Sequence, residues 1–285
     1  MSENFRAIDA SALTPPAAPP AVGAAPMLQW VAIERLVVDE SYQRPIERRG
    51  AANVARIARE FRWCRFSPVI ASPVAGGKLA IVDGQHRTTA AALLGFAEVP
   101  CQIIIADTRE QADAFRAING AVTQVSSLAL FHSAIVAGDA DALDVARIAA
   151  EAGVRILRSN RSSASMAIGD CACPATLMTI YRDQGPRVLQ RALQAITLTP
   201  NNIPGNLGAT LLTALALALA SRQPLLNYRE RLIAVMTGVE LEQELEAFRI
   251  ERRGGDKFGS LAKAFAGRLG DLIDAHGARF SLTLP

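Results

Sequence analysis

The sequence predicts an α+β fold, a small mixed-sheet unit followed by an all-α half. Short apolar runs at Val69–Val74, Leu79–Val82 and Val99–Ala106 have the length of strands. They alternate with helical patterns over the first 125 residues. Beyond Val125 strand signals fade, and capped helical segments follow one another. At 285 residues and 50% hydrophobic content the chain is long enough for two compact units. Aromatic residues make up only 5%, so Ala, Leu, Val and Ile must fill the cores.

Residues 1–26 hold Pro15-Pro16-Ala17-Ala18-Pro19-Pro20 and little that could form a core, which predicts a disordered or polyproline-like arm. Residues 27–125 form the first predicted domain. Trp30–Val38 reads as a strand and turn, and Ile46–Phe61 as a helix through the spacing of Val54, Ile57, Ala58 and Phe61. Thr108 with Gln111 three residues later fits a capping box for a further helix, which Asn119-Gly120 stops.

The segment Lys78–Gly95, KLAIVDGQHRTTAAALLG, carries the chemistry. An apolar strand ends at Asp83-Gly84 and a helical pattern begins at once. The first amides of any helix lack internal partners and carry partial positive charge, so an anion is stabilised there. Gly84 lets it approach the backbone, and His86 and Arg87 add donors, Arg87 with a planar fork suited to phosphate. Gln85 and Thr88 supply neutral hydrogen-bonding groups. Asp83 either holds Mg²⁺ through water or caps the turn. Tyr42, Gln43 and Arg44 form a polar cluster that is either a second wall of the site or an exposed loop.

DGQHR, the small-residue helix ending in Leu-Gly, and the EVPC strand resemble the ParB N-terminal/sulfiredoxin-like superfamily, in its DGQHR-containing branch of phage, plasmid and mobile-element proteins. Tyr42-Gln43-Arg44-Pro45, Ser67-Pro68-Val69-Ile70 and Phe115-x-x-Ile118-Asn119 extend that resemblance over about residues 28–125. The resemblance implies nucleotide binding: CTP in ParB proteins, ATP in sulfiredoxin, ADP or ATP in related serine kinases. Sulfiredoxins carry a reactive cysteine where this chain has Gln85, and an amide cannot do that chemistry. Gly84-Gln85-His86-Arg87 also lacks the glutamate of ParB's Gly-Glu-Arg-Arg and has His for one Arg, so the resemblance implies phosphate binding, and neither triphosphate hydrolysis nor CTP selectivity follows from it.

Residues 126–285 form the predicted helical domain. Ser126 and Asp139 are expected to cap helices ended by Gly138 and Gly153. Further helices are expected near Pro174–Arg182, Pro186–Ile196, Leu207–Ser221, Leu225–Met236, Val239–Arg249 and Phe258–Ala275. Pro174–Ile196 is open to two readings: a helix-turn-helix presenting Arg187, Gln190 and Arg191 to DNA, or two ordinary amphipathic helices. Arg155, Arg158 and Arg161 form a second basic cluster in a polar link.

A net charge of +3 from 30 basic and 27 acidic residues is too balanced to imply nucleic-acid binding by composition alone. The four cysteines show no metal-site spacing, and Cys171-Ala-Cys173 reads as a chance pair in a turn. No segment resembles a secretory signal. Leu207–Ala220, the longest apolar stretch, is too short to span a bilayer, so a cytoplasmic protein without a membrane partner is expected. A homodimer is compatible with the sequence.

Two functions remain. One is a nucleotide-binding regulatory or DNA-transaction accessory protein of ParB-like type, with phosphates at Asp83–Arg87 and DNA contacted through the helical half. The other is a phosphoryl-transfer or phosphodiester-cleaving enzyme, a ParB-like nuclease or small-molecule kinase, with His86 as general acid/base, Arg87 as clamp and Asp83 or Glu110 holding a metal. The first is preferred, because no second positioned carboxylate is evident.

Overall fold

The structure is a computed structural model, and it describes residues 7–15, 22–41, 43, 45–120, 125–162, 165–253 and 260–280. By its internal contacts the chain divides into two compact units, residues 1–123 and 124–285.

The first unit is built on a five-stranded mixed sheet: β1 (Met27–Ala32), β2 (Leu36–Val37), β3 (Val69–Pro73), β4 (Leu79–Asp83) and β5 (Glu98–Ile103), in the order β1-β5-β3-β4-β2. β1 and β5 are antiparallel, as are β3 and β4; β3–β5 and β2–β4 are parallel. A tight β3–β4 connection uses Gly76 and Gly77, both at positive φ. The expected strands are therefore present, and the short pairing of β2 with β4 is an addition that two residues of sequence could not announce.

β4 is buried along Leu79–Val82, which explains its unbroken apolar run. Three helices accompany the sheet: α1 (Arg48–Arg59), α2 (Gln85–Leu93) and α3 (Thr108–Gly120). Of these, α1 packs on α2 and α3 lies on β4. The core gathers Val31, Val69, Ala71, Leu79, Ile81, Ala91, Val99, Cys101 and Ile103. A register shift between Ile70 and Ala71 leaves Val82 as an extra residue on β4. Such a bulge re-aims the chain immediately before the Asp83–Arg87 corner.

The start of α3 corrects the expected cap. Asp107 and Glu110 form the reciprocal box, with Glu110 N–H donating to Asp107 Oδ1 at 2.8 Å and Asp107 N–H to Glu110 Oε2 at 3.0 Å. Gln111 is buried and donates to Ala106 O. Glu110 is thereby committed to the cap rather than to a metal.

The second unit is helical: α4 (Ser127–Val136), α5 (Ala140–Glu151), α6 (Pro174–Gln184), α7 (Pro186–Thr197), α8 (Ala209–Ala220), α9 (Gln223–Asn227), α10 (Arg229–Thr237), α11 (Leu241–Arg253) and α12 (Leu261–Phe280). Ser126 and Asp139 cap α4 and α5 as expected, accepting from Ala129 N and Ala142 N. Pro174 and Pro186 occupy first-turn positions, where a missing N–H costs nothing. The apolar α8 is the buried centre, packed by α6, α7 and α12. Among the described residues no helix is long and apolar enough to cross a membrane.

The expected single helix over Leu225–Met236 is two helices parted at Tyr228, whose ψ of 101° is extended. A two-stranded parallel sheet, β6 (Arg155–Ile156) and β7 (Asp170–Cys171), was also not foreseen. Cys171 therefore sits in a buried strand, with its Sγ 3.6 Å from that of Cys173. Asp170, fully buried, accepts from Ala167 N at 3.0 Å and from Arg155 Nε at 2.7 Å, with Arg161 3.9 Å away. Those bonds, the backbone one foremost, hold its carboxyl below the usual carboxylate range.

Candidate functional site

At the end of β4 the backbone turns through Gly84 (φ 110°, ψ 11°) straight into α2. This φ favours glycine. A Cβ there would also stand 3.2 Å from Val69 Cγ2, 3.3 Å from Val69 Cα and 3.2 Å from Arg87 Nη2. Gly84 is thus required by its conformation and by its packing on β3. No side chain caps α2, so its leading amides are left for other partners.

This corner forms one wall of a cleft of about 800 Å³, within the roughly 300–1,000 Å³ typical of small-molecule sites. Asp83, Gly84, Gln85, His86 and Arg87 all line it. Facing them are Gln43, Pro45, Ile46 and Glu47, then Gly50 and Asn53 of α1, with Phe115 and Asn119 of α3. Most of the residues read from the corner motif are therefore brought together. Asn119 donates to Phe115 O at 2.9 Å, as a helix-end residue does, while also lining the cleft.

Three expectations change. Thr88 is buried and donates to Gly84 O at 3.1 Å; it is absent from the cleft wall and closes the first turn of α2 instead. Asp83 does not cap the helix: its Oδ2 accepts from Arg87 Nη2 at 3.0 Å, a half-buried pair with each side chain 26% exposed. Arg87 is consequently a tethered cation rather than a free one, and its Nε is buried without a partner. Tyr42 and Arg44 lie outside the described residues.

Gln43 is buried and takes a structural position in the wall. Its Nε2 donates to Ile81 O and lies 3.5 Å from Val82 O, tying the preceding loop to β4. His86 is held closely against α1, since a Cβ on Gly50 would meet its Nε2 at 3.0 Å. Glu47, at the start of α1, is an acidic wall residue that sequence reasoning missed. The only signal was its place two residues after Pro45, in the segment of the Tyr42–Arg44 cluster.

The described charges of the cleft are thus Glu47, Asp83 and Arg87, with His86 as the titratable base. A bare triphosphate would meet two carboxylates. A Mg²⁺ complex suits the donor set better, because Asp83 and Glu47 are oxygen ligands of the kind that hold Mg²⁺ beside phosphates.

In the second unit, the arginines of the helix-turn-helix reading are engaged internally. Arg187 donates to Asn227 Oδ1 at 2.7 Å, and Arg191 donates to Leu226 O at 2.9 Å and Gln194 Oε1 at 2.6 Å. Such bonds favour two ordinary packed helices over a base-reading one.

No protein-family model matches the chain, and no curated protein matches its sequence. Solved structures similar to it include the C-terminally truncated chromosome-partitioning protein ParB from Caulobacter crescentus complexed with CTP-gamma-S. That likeness has 14% identity and a TM-score of 0.36, over 76% of this chain and 98% of that one. The same protein complexed to the centromeric parS site matches at 14% identity and a TM-score of 0.28, over 75% and 95%. The C2221 form of the Pnob8-like ParB-N domain matches at 16% and 0.28, over 87% and 98%.

Proposed function

We propose that this chain is a ParB-like nucleotide-binding protein that takes the phosphates of a nucleoside triphosphate, CTP or ATP, with Mg²⁺, and serves as a regulatory or DNA-transaction accessory factor. One observation carries the reading: the uncapped first turn of α2, entered through Gly84, forms a wall of the 800 Å³ cleft together with His86 and Arg87. The DGQHR resemblance agrees with it. In this reading Gln85 and the amides of the first turn bind phosphate, Asp83 serves Mg²⁺, and Gln43 keeps the opposite wall in place. The enzyme reading has less support, because of the two carboxylates in the wall Asp83 is paired with Arg87, only Glu47 is left beside His86, and Glu110 is spent on a helix cap.

The test is a thermal-shift panel of CTP, ATP, GTP and ADP, each with and without Mg²⁺. A ligand that binds only the native state raises its melting temperature by mass action. The reading expects CTP or ATP to raise it, more with Mg²⁺ than without; no shift with any triphosphate would overturn it.

A further inference from the structure

Aromatic residues are scarce in this chain, yet five of them meet at one surface. Trp63 lies 5.3 Å from Trp30, 4.9 Å from Phe61, 5.4 Å from Phe66 and 4.9 Å from Phe96, centroid to centroid. These two tryptophans are the only ones in the sequence. Both are open to solvent, Trp30 by 58% and Trp63 by 42%. Isolated exposed apolar residues need no explanation, but two exposed tryptophans in contact, seated on Phe61, Phe66 and Phe96 that are themselves partly buried against the core, do.

The charge beside this patch is lopsided. Between Arg56 and Arg65 the sequence has four arginines and one acid, Glu60, a net +3 that equals the total of the whole chain. Glu60 answers only Arg56, at 3.8 Å. Arg62 and Arg65, which bracket Trp63, are exposed and have no partner among the described residues. With Arg56, Glu60, Phe61, Phe66 and Arg87 they line a groove of about 240 Å³, so rings and the free guanidiniums of Arg62 and Arg65 border one channel whose carboxylate, Glu60, answers Arg56.

We infer that this surface binds single-stranded nucleic acid, with bases stacked on Trp30 and Trp63 and phosphates on Arg62 and Arg65. Stacking on aromatic faces next to a cationic groove is how sequence-tolerant single-strand binding works, because every base offers a π-face and every linkage a charge. Duplex DNA offers the charge without the free faces. Arg87 borders the nucleotide cleft as well, but the inference rests on Trp30, Trp63, Arg62 and Arg65, none of which lines that cleft.

Both tryptophans lie in the patch, so their fluorescence reports on it directly. The full chain is titrated with a thymidine homo-oligonucleotide of about 20 nucleotides, longer than the ~4–16 that one such surface covers. Saturable quenching is expected, with a uridine oligonucleotide run in parallel as with the thymidine one, because both bases offer a π-face. By anisotropy of a labelled strand, Trp30→Ala should weaken binding about five-fold or more; Trp30 is 58% exposed and lies outside the buried core, so the fold survives. The double variant Arg62→Ala/Arg65→Ala should lower the slope of log K against log salt by about 1.4, the share of two phosphates on a single strand. An abasic strand of equal length should bind at least ten-fold more weakly. Absence of quenching, equal affinity for the abasic strand or a duplex, or an unchanged salt slope in the double variant would each overturn the inference.

Discussion

Replacing Gly84 with alanine tests how the corner is built. At φ 110° an L-residue is strained by about 1–3 kcal/mol. The new Cβ would also press on Val69, 3.2 Å from Cγ2 and 3.3 Å from Cα. Val69 is fully buried and its Cα belongs to β3, so it cannot retreat without moving the sheet. Overpacking of this kind adds about 1–3 kcal/mol. The two effects together destabilise by about 2–6 kcal/mol, a large share of the roughly 5–15 kcal/mol that holds a domain together. Both tryptophans fall in residues 1–123, so their fluorescence follows the first unit alone, whereas far-UV circular dichroism is dominated by the helices of the second. With urea m-values of about 1–3 kcal/mol/M, the fluorescence midpoint should fall by about 0.7 M or more. The dichroism transition of the second unit should stay in place. A fluorescence midpoint displaced by less than the equivalent of about 0.5 kcal/mol would refute the left-handed, closely packed glycine.

Other perturbations separate structural from functional roles. Gln43→Ala should cost the first unit about 1–3 kcal/mol in the same urea assay, because it strands the buried carbonyl of Ile81. Asp170 has a folded-state pKa below its usual 3.8, so its contribution is complete above that value and is lost as pH falls through the folded one. Urea midpoints of the second unit should therefore drop on acidification from about pH 5 to about pH 2, and Asp170→Asn should flatten that drop. Iodoacetamide followed by mass spectrometry should label exposed Cys64 first and leave Cys101 unmodified, since burial pushes the Cys101 thiol up to about 11.

Where hydrophobic period and local capping agreed, the fold was legible in the sequence. β3, β4, β5, the Ser126 and Asp139 caps and the buried α8 all rest on patterns within one element. What escaped depends on partners distant in sequence. β2, β6 and β7 are two-residue strands, each defined only by what it pairs with. Asp107/Glu110 and Thr108/Gln111 offer the same capping pattern one residue apart, and only burial of Gln111 decides between them. At the site, the motif gave the corner and its donors. It could not tell that Thr88 turns inward, that Asp83 is spent on Arg87, or that Glu47 and Phe115 close the opposite side. Those facts depend on how three helices are arranged around β4.

In the proposed function Arg87 and the first turn of α2 hold a nucleotide's phosphates. Isothermal titration of CTP and ATP with Mg²⁺ into the parent chain and into Arg87→Gln tests it most directly. A charge-assisted hydrogen bond contributes about 1.5–3 kcal/mol, so the variant should bind about 10-fold to 150-fold more weakly while keeping the parent's fluorescence transition. Equal affinity in the two proteins, or no heat of binding from the parent, would contradict it.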